Sequence, residues 1–461
     1  MIQLRFDQLA KYCEGTLNQE DLGAVLFHGV SIDTRTLNEK ELFIAIKGEQ
    51  QDGHMYLQNA IEKGASGILA DKSSAQLKTV EAEIPVVAVK NSHQAMLALA
   101  KVYRDSLNTK FIGITGSNGK TTTKELTFSL LQAVEKNVFK TPGNLNNLYG
   151  VPLTLFSIDK NCKAGVLELG ISTIDEMPKL AEITHPDVVV ITNVGISHLE
   201  FLTSVQAVAQ AKLELIKNAP KHVPLIVNAD DVILVEEAEK IRDSFLTFSI
   251  THDADFSVKN IVPQKNGANL VTINTHEFIL PLIGKHQIAN LTAAYASVSA
   301  LGYSFDHIDT KKITFDTAPM RGQILSVGSM LLVSDCYNAN PDSMKAGLKA
   351  FFEMKSDKRR VLILGDMLEL GTEEKMYHEQ IGEFLLDKQF DLLITVGIRA
   401  KEISKICNAN GIKTVEYGDS KALSEDIHTL VDANDFVYIK ASRGVGLEKV
   451  LHTLQASGEE A

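Results

Sequence analysis

Residues 111–124 read Phe-Ile-Gly-Ile-Thr-Gly-Ser-Asn-Gly-Lys-Thr-Thr-Thr-Lys, and no other stretch of the chain restricts the fold as tightly. Strand-forming residues break into a glycine turn and then into helix-forming sequence, which is the context a phosphate-binding loop requires. Gly116 and Gly119 let backbone N–H groups approach phosphate oxygens with no Cβ in the way. Lys120 supplies a point charge, Thr121 a hydroxyl for Mg²⁺, and the following helix its positive end. Ser117, Asn118 and Thr122 complete the loop. Ile114 stands where the strict pattern has glycine, and the competing reading is a plain glycine turn entering a helix. ATP or GTP binding is favoured over it.

A loop of this kind belongs to a parallel sheet, and the rest of the chain supplies one. Short β-branched runs alternate with helical patterns almost throughout, the signature of an α/β architecture with mainly parallel sheets. Residues 42–46, 67–70 and 85–89 read as strands, and 92–106 as an amphipathic helix with Ala95, Leu99 and Val102 near one face. After a junction at 108–110, residues 111–115, 166–169, 187–192 and 224–228 read as a second set of strands. Between about Phe245 and Leu282 the pattern turns to short alternating strands, which predicts an antiparallel flap on the same domain. Residues 331–335, 361–364, 392–396 and 436–439 form a third set, suited to a separate doubly wound domain. A length of 461 residues itself implies two to three domains.

A formal charge of -12 argues against a nucleic-acid footprint, which needs a basic face. Cys13, Cys162, Cys336 and Cys407 form no C-x-x-C pair and read as isolated reduced thiols. The opening residues lack the apolar core of a signal peptide, and no apolar run is long enough for a bilayer. A cytoplasmic protein without membrane insertion is the expectation. Phosphate chemistry calls for metal ligands, and Glu168 and His198 each follow a strand at the edge where ligands gather. Taken singly, each also reads as an ordinary loop neighbour. Lys212, within Val208-Ala-Gln-Ala-Lys-Leu-Glu214, reads as an exposed helical lysine.

Four segments in order, residues 115–122 (TGSNGKTT), 141–147 (TPGNLNN), 192–198 (TNVGISH) and 211–214 (AKLE), resemble the signatures of the Mur ligase family, and 284–290 (GKHQIAN) resembles its adenine-side motif. The likeness extends over essentially the whole chain. Residues 335–343 (DCYNANPDS) and 364–371 (LGDMLELG), with 31–35, 45–48 and 52–54, resemble the branch that adds D-alanyl-D-alanine. The resemblance implies three domains: 1–108 for the UDP-precursor, 109–318 as the P-loop ATPase, and 319–461 as a Rossmann-like domain completing the site. It implies ATP and Mg²⁺ as cofactors, UDP-N-acetylmuramoyl-tripeptide and D-alanyl-D-alanine as substrates, and a monomer.

Roles follow from the same resemblance. Lys120 contacts the β- and γ-phosphates, and Thr121, Glu168 and His198 surround Mg²⁺; Lys212 corresponds to a lysine carbamylated in the family, able as an anion to hold a second Mg²⁺. His286 and Asn290 lie near adenine, Asp335 near ribose, and Arg321 approaches the phosphates. Met320-Arg-Gly-Gln323 reverses the Gly-Arg order common in relatives, which leaves the placement of Arg321 open. Ser31, Arg35, Lys47, Asp52 and His54 are assigned to the UDP-tripeptide, with Asn146 and Asn147 also in the substrate set. Asn338, Asn340, Ser442 and Arg443 are assigned to the dipeptide. Asp366 reads as a cap for the next helix and is left out of the catalytic set. Three alternatives stand: a sister ligase adding a single amino acid, a nucleotide-sensing protein that ligates nothing, and a kinase.

Overall fold

The computed structural model describes residues 1–80, 84–196, 202, 204–264 and 267–459. Three principal sheets follow one another along the chain. The first has five strands in the order Thr16–Leu17, Val86–Val89, Gly67–Asp71, Leu42–Ile44, Val30–Ser31, parallel except at the Thr16–Leu17 edge. The third has six strands in the order Gln323–Val327, Met330–Ser334, Phe436–Lys440, Arg360–Gly365, Leu392–Val396, Thr414–Tyr417. Only its first pair, a hairpin, is antiparallel. Gln323–Val327 and Thr414–Tyr417 escaped the sequence reading because they are edge strands, half-buried and without a continuous apolar run.

The central sheet corrects one expectation. Its nine strands run His276–Leu280, Asn269–Ile273, Phe256–Pro263, Leu246–Ser249, Leu225–Asn228, Val188–Ile191, Lys110–Thr115, Ala164–Glu168, Val138–Lys140. The region from Phe245 to Leu282 lies on the same domain as expected, but it opens with parallel pairs, and only the pairs beyond Phe256–Pro263 are antiparallel. Leu246–Ser249 pairs in parallel with Leu225–Asn228 after the crossover helix Val232–Glu239, and the antiparallel strands merely extend the same sheet.

Lys110–Thr115 lies between Val188–Ile191 and Ala164–Glu168, and from Phe111 onward it is wholly buried. The P-loop thus leaves the sheet from an interior strand. On one face the helices Lys120–Val134 and Lys285–Ala300 pack together through Leu126, Leu130, Leu291 and Ala294. On the other, Leu99 and Tyr103 of the helix Ser92–Asp105 join Val151, Leu155, Leu180 and Ile183 in one continuous core. Each fully buried leucine there contributes about 1.5–3 kcal/mol relative to exposure. Polar contacts fix the same joint: Tyr103 Oη donates to the Ile158 carbonyl at 2.8 Å, and Arg104 donates to the Thr184 and His185 carbonyls. The first and second units are thereby bonded through a shared interior. Among the described residues, no helix is long and apolar enough to cross a membrane.

Candidate active site

A cleft of about 740 Å³ opens between the C-terminal edge of the central sheet and the loops of the third sheet. Its walls carry the P-loop on one side and Arg321, Asp335, Tyr337, Lys440 and Arg443 on the other.

The glycines of the P-loop are required by their neighbours. Gly116 has φ +151°, and a Cβ there would stand 1.9 Å from Thr192 Oγ1. Gly119 has φ +81°, and its Cβ would stand 2.2 Å from Asn290 Oδ1. Asn193 grips the loop from both sides: its Oδ1 accepts the Asn118 N–H at 2.9 Å, and its Nδ2 donates to the Asn118 carbonyl at 3.0 Å. Thr192 Oγ1 donates to that carbonyl at 2.6 Å. A Gly116→Ala chain must therefore shift Thr192 and distort the loop, and nucleotide affinity is expected to fall at least about ten-fold while the rest of the fold persists. An equilibrium titration with ATP checks this; unchanged affinity would show that the loop does not need its present shape.

Lys120 Nζ is folded back onto the loop, donating to the Gly116 and Ser117 carbonyls at 2.7 and 3.2 Å. Burial lowers its pKa, Glu168 opposes that shift, and Arg321 adds to it. An anionic ligand at the loop would relieve the burial cost of this cation.

Glu168 closes its strand with a carboxylate only 1% exposed. Oε1 accepts from Thr121 Oγ1 at 3.0 Å and from Asn146 Nδ2 at 2.8 Å. Oε2 is buried without a hydrogen-bond partner, its nearest cation being Lys124 Nζ at 3.6 Å. Lys124 is itself held by the Thr141 and Gly143 carbonyls, which anchor the loop carrying Asn146. An orphaned carboxylate oxygen beside a threonine hydroxyl fits a hard cation. Among the described residues no cluster of three or more His, Cys, Asp or Glu forms a metal cage. Magnesium would accordingly rest on Glu168, Thr121, phosphate oxygens and water, as that ion prefers. His198 lies outside the described residues.

Lys212 overturns the expectation of an exposed lysine. It is 1% exposed on the buried face of the helix Val205–Lys217, because that helix turns Val208, Ala211, Lys212 and Leu215 inward. Burial drives its pKa well below the usual lysine value, and Lys120 adds to the shift.

Across the cleft, Lys440 Nζ donates to Asp335 Oδ2 at 2.7 Å and to the Asn338 carbonyl at 3.1 Å, and Tyr438 Oη donates to the same Asp335 oxygen at 3.0 Å. Asn338 Oδ1 accepts the Ala339 N–H. His286 faces this group; burial drops its pKa to about 4, Asp335 opposing and Lys440 assisting. Its imidazole is neutral at physiological pH. Asn290 is buried and donates to Gln287 Oε1 at 2.9 Å, although it still lines the cleft. Asn340 caps the helix Pro341–Glu353 and donates from Nδ2 to Asn118 Oδ1 at 2.8 Å. Asp342 Oδ2 accepts the Ile196 N–H at 2.9 Å. The third unit is thus docked directly on the P-loop.

Other assigned residues have structural duties. Ser442 Oγ donates to the Ala339 carbonyl and accepts the Leu368 N–H, tying three loops together. Asn147 Oδ1 accepts the N–H groups of Tyr149 and Gly150 at the start of a helix. Asp366 does not cap the next helix: its Oδ1 accepts the N–H of Ala400, the residue before Lys401–Ala409. Ser31, Arg35, Lys47, Asp52 and His54 do not line this cleft. His54 Nδ1 bonds Asp52 at 2.6 Å and Nε2 accepts the Asp71 N–H at 3.0 Å, so both ring nitrogens are spent within the first unit. Arg35 pairs with Asp33, and Ser31 Oγ donates to the Asp33 carbonyl.

Sequence reasoning passed over Asn193, Lys440, Tyr337, Asp342 and Lys124. Asn193 and Lys440 sit at strand ends on the ligand-binding edge, a signal that was available. The other three owe their places to packing between segments distant in sequence.

Known proteins resemble this chain along its whole length. The Mur ligase middle domain matches residues 114–298, the Mur ligase glutamate ligase domain 320–443, and the catalytic domain of the Mur ligase family 26–104. The UDP-N-acetylmuramoyl-tripeptide–D-alanyl-D-alanine ligase of Bacillus subtilis is 32% identical, covering 98% of this chain and 99% of its own. The crystal structure of MurF from Acinetobacter baumannii superposes with a TM-score of 0.89 at 25% identity, over 99% of both chains. MurF ligase from Thermotoga maritima, solved in complex with ADP, gives 0.80 at 27% identity over 94% of this chain and 98% of its own. With three matching domains in order and a full-length relative above 30% identity, the chain belongs to the Mur ligase family.

Proposed function

We propose that the protein uses ATP to join D-alanyl-D-alanine to UDP-N-acetylmuramoyl-tripeptide, forming the UDP-linked pentapeptide. The observation that carries this reading is the docking of the P-loop against a second, cationic wall in one cleft, in a chain similar end to end to ligases of that name.

A carboxylate does not condense with an amine at neutral pH, because its oxygen leaves too poorly. Phosphorylation by ATP gives an acyl phosphate, the dipeptide amine attacks, and the tetrahedral intermediate expels phosphate. The protein's work is alignment and charge neutralisation. Lys120 and the P-loop N–H groups hold the β- and γ-phosphates. His286 and Asn290 flank the adenine, Asp335 the ribose, and Arg321 meets the phosphates from the third unit. Asn338, Asn340 and Arg443 border the dipeptide, while Asn146 sets the direction of Glu168. Magnesium bound at Thr121 and Glu168 would neutralise charge on the transferring phosphoryl. By the family resemblance, His198 and, as a carbamate, Lys212 would complete that metal set. The first unit, residues 1–108, takes the UDP-precursor, with Ser31, Arg35, Lys47, Asp52 and His54 as its contacts.

Mass spectrometry of the product formed from ATP, the UDP-tripeptide and either D-alanyl-D-alanine or single amino acids tests this. A pentapeptide product is expected with the dipeptide alone. A product carrying one added residue would reassign the chain to a sister ligase, and a stable phosphorylated product would make it a kinase.

A further inference from the structure

Two arginines in the cleft are held in an unusual way. Arg5, Arg35, Arg104, Arg242, Arg359, Arg360 and Arg399 each donate at least one side-chain hydrogen bond to a protein oxygen. Arg321 and Arg443 donate none among the described residues. Both instead stack on one ring: the Arg321 guanidinium carbon lies 3.9 Å from the centroid of Tyr337, and that of Arg443 lies 4.9 Å from it.

The difference has a chemical meaning. A carboxylate would pin a guanidinium but also cancel its charge, and an anionic ligand would have to displace it. An aromatic face pins the cation through its quadrupole while leaving every N–H donor open. Immobilising a long side chain beforehand also lowers the ordering cost of binding. The backbone of Tyr337 is anchored in turn: its N–H donates to the Met320 carbonyl at 3.1 Å, joining it to the residue before Arg321. All three side chains line the same cleft. Arg321 is close enough to Lys120 to depress its pKa, which sets it on the phosphate side, whereas Arg443 follows Ser442 on the loop after the strand Phe436–Lys440.

We infer that Tyr337 is a positioning residue that presents Arg321 to the nucleotide phosphates and Arg443 to the carboxylate of the incoming dipeptide. Assigning the second anion to the dipeptide rests on the ligase reading above; the first does not. One ring serves both arginines, so its loss weakens two substrates at once and spares the third.

Tyr337→Leu, Tyr337→Phe and the wild-type chain are compared by equilibrium titration with ATP and by steady-state ligation. Tyr337→Leu is expected to weaken ATP binding and raise the KM for D-alanyl-D-alanine, each on the order of ten-fold and by more than any fall in kcat. The KM for the UDP-precursor stays at the wild-type value. Tyr337→Phe keeps the π face, and the phenol O–H has no hydrogen-bond partner among the described residues, so it behaves as wild type. Thermal midpoints report folding; if Tyr337→Leu is unfolded, Tyr337→Met, closer in length, is read in the same way. Wild-type ATP affinity and dipeptide KM in the aliphatic variant overturn the inference, as does a Tyr337→Phe chain as impaired as Tyr337→Leu. If the wild type makes no pentapeptide, the ligase reading fails, and the ATP titration still decides whether the ring orders Arg321.

Discussion

Lys120→Ala is expected to lower kcat for ligation by about 10²–10³-fold or more, while affinity for the UDP-precursor stays unchanged. Among the described residues the ammonium of Lys120 has no carboxylate partner at hydrogen-bonding distance; it is held by two P-loop carbonyls, at 2.7 and 3.2 Å. Those bonds place it without neutralising it, and burial makes the unliganded cation costly. A triphosphate therefore gains twice, from attraction to the charge and from relief of that cost. The gain is greatest as negative charge gathers on the transferring phosphoryl, which is why the effect should fall on kcat as well as on nucleotide binding. The UDP-precursor is assigned to a different unit, so titration of that ligand serves as the control for folding. Ligation near the wild-type rate in this variant would take Lys120 out of the mechanism.

The P-loop was legible in the sequence because its geometry admits few residue types. Gly116 and Gly119 are dictated by positive φ and by Thr192 and Asn290 close behind them, and that demand is written directly into the chain. The buried central strands were legible for a similar reason, since strands covered on both faces read as continuous apolar runs. The edge strands Gln323–Val327 and Thr414–Tyr417 were not, because solvent on one side relaxes the pattern. Polar residues were the least legible. His54 looked available for substrate, yet its two nitrogens are consumed by Asp52 and the Asp71 N–H, a contact that exists only once residues 52–54 fold beside the end of Gly67–Asp71. Tyr337 became significant only when the chain brought residues 321 and 443 to one ring. Lys212 shows the same limit most sharply, since nothing in its local pattern says which face of the helix is covered.

Lys212→Met is expected to abolish most ligation, by about 10²-fold or more, and yet to leave the fold at least as stable as the wild type in buffer depleted of CO₂. The sign follows from linkage. The pKa of Lys212 lies well below its unfolded value, so between the folded and unfolded pKa values the unfolded chain binds the extra proton. Stability from this group is complete only above the unfolded lysine pKa and declines as pH falls toward the folded one. Near neutral pH the buried amine is therefore a liability, and replacing it with an apolar side chain of similar length should return about 1 kcal/mol. A lysine kept at such a cost, on a helix face otherwise made of Val208, Ala211 and Leu215, points to use in the reaction. The same depression favours the neutral amine, the form that attacks CO₂, and the resulting carbamate is the anion proposed for the metal site. Lys212→Ala opens space where formate or acetate can stand in, so these acids should restore part of its activity but none in Lys212→Met, whose side chain fills the space. Denaturant midpoints and ligation rates with and without the acids check both halves. Full activity of Lys212→Ala with no added acid would reject the carbamate, and a strongly destabilised Lys212→Met would show that the lysine is there to hold the fold.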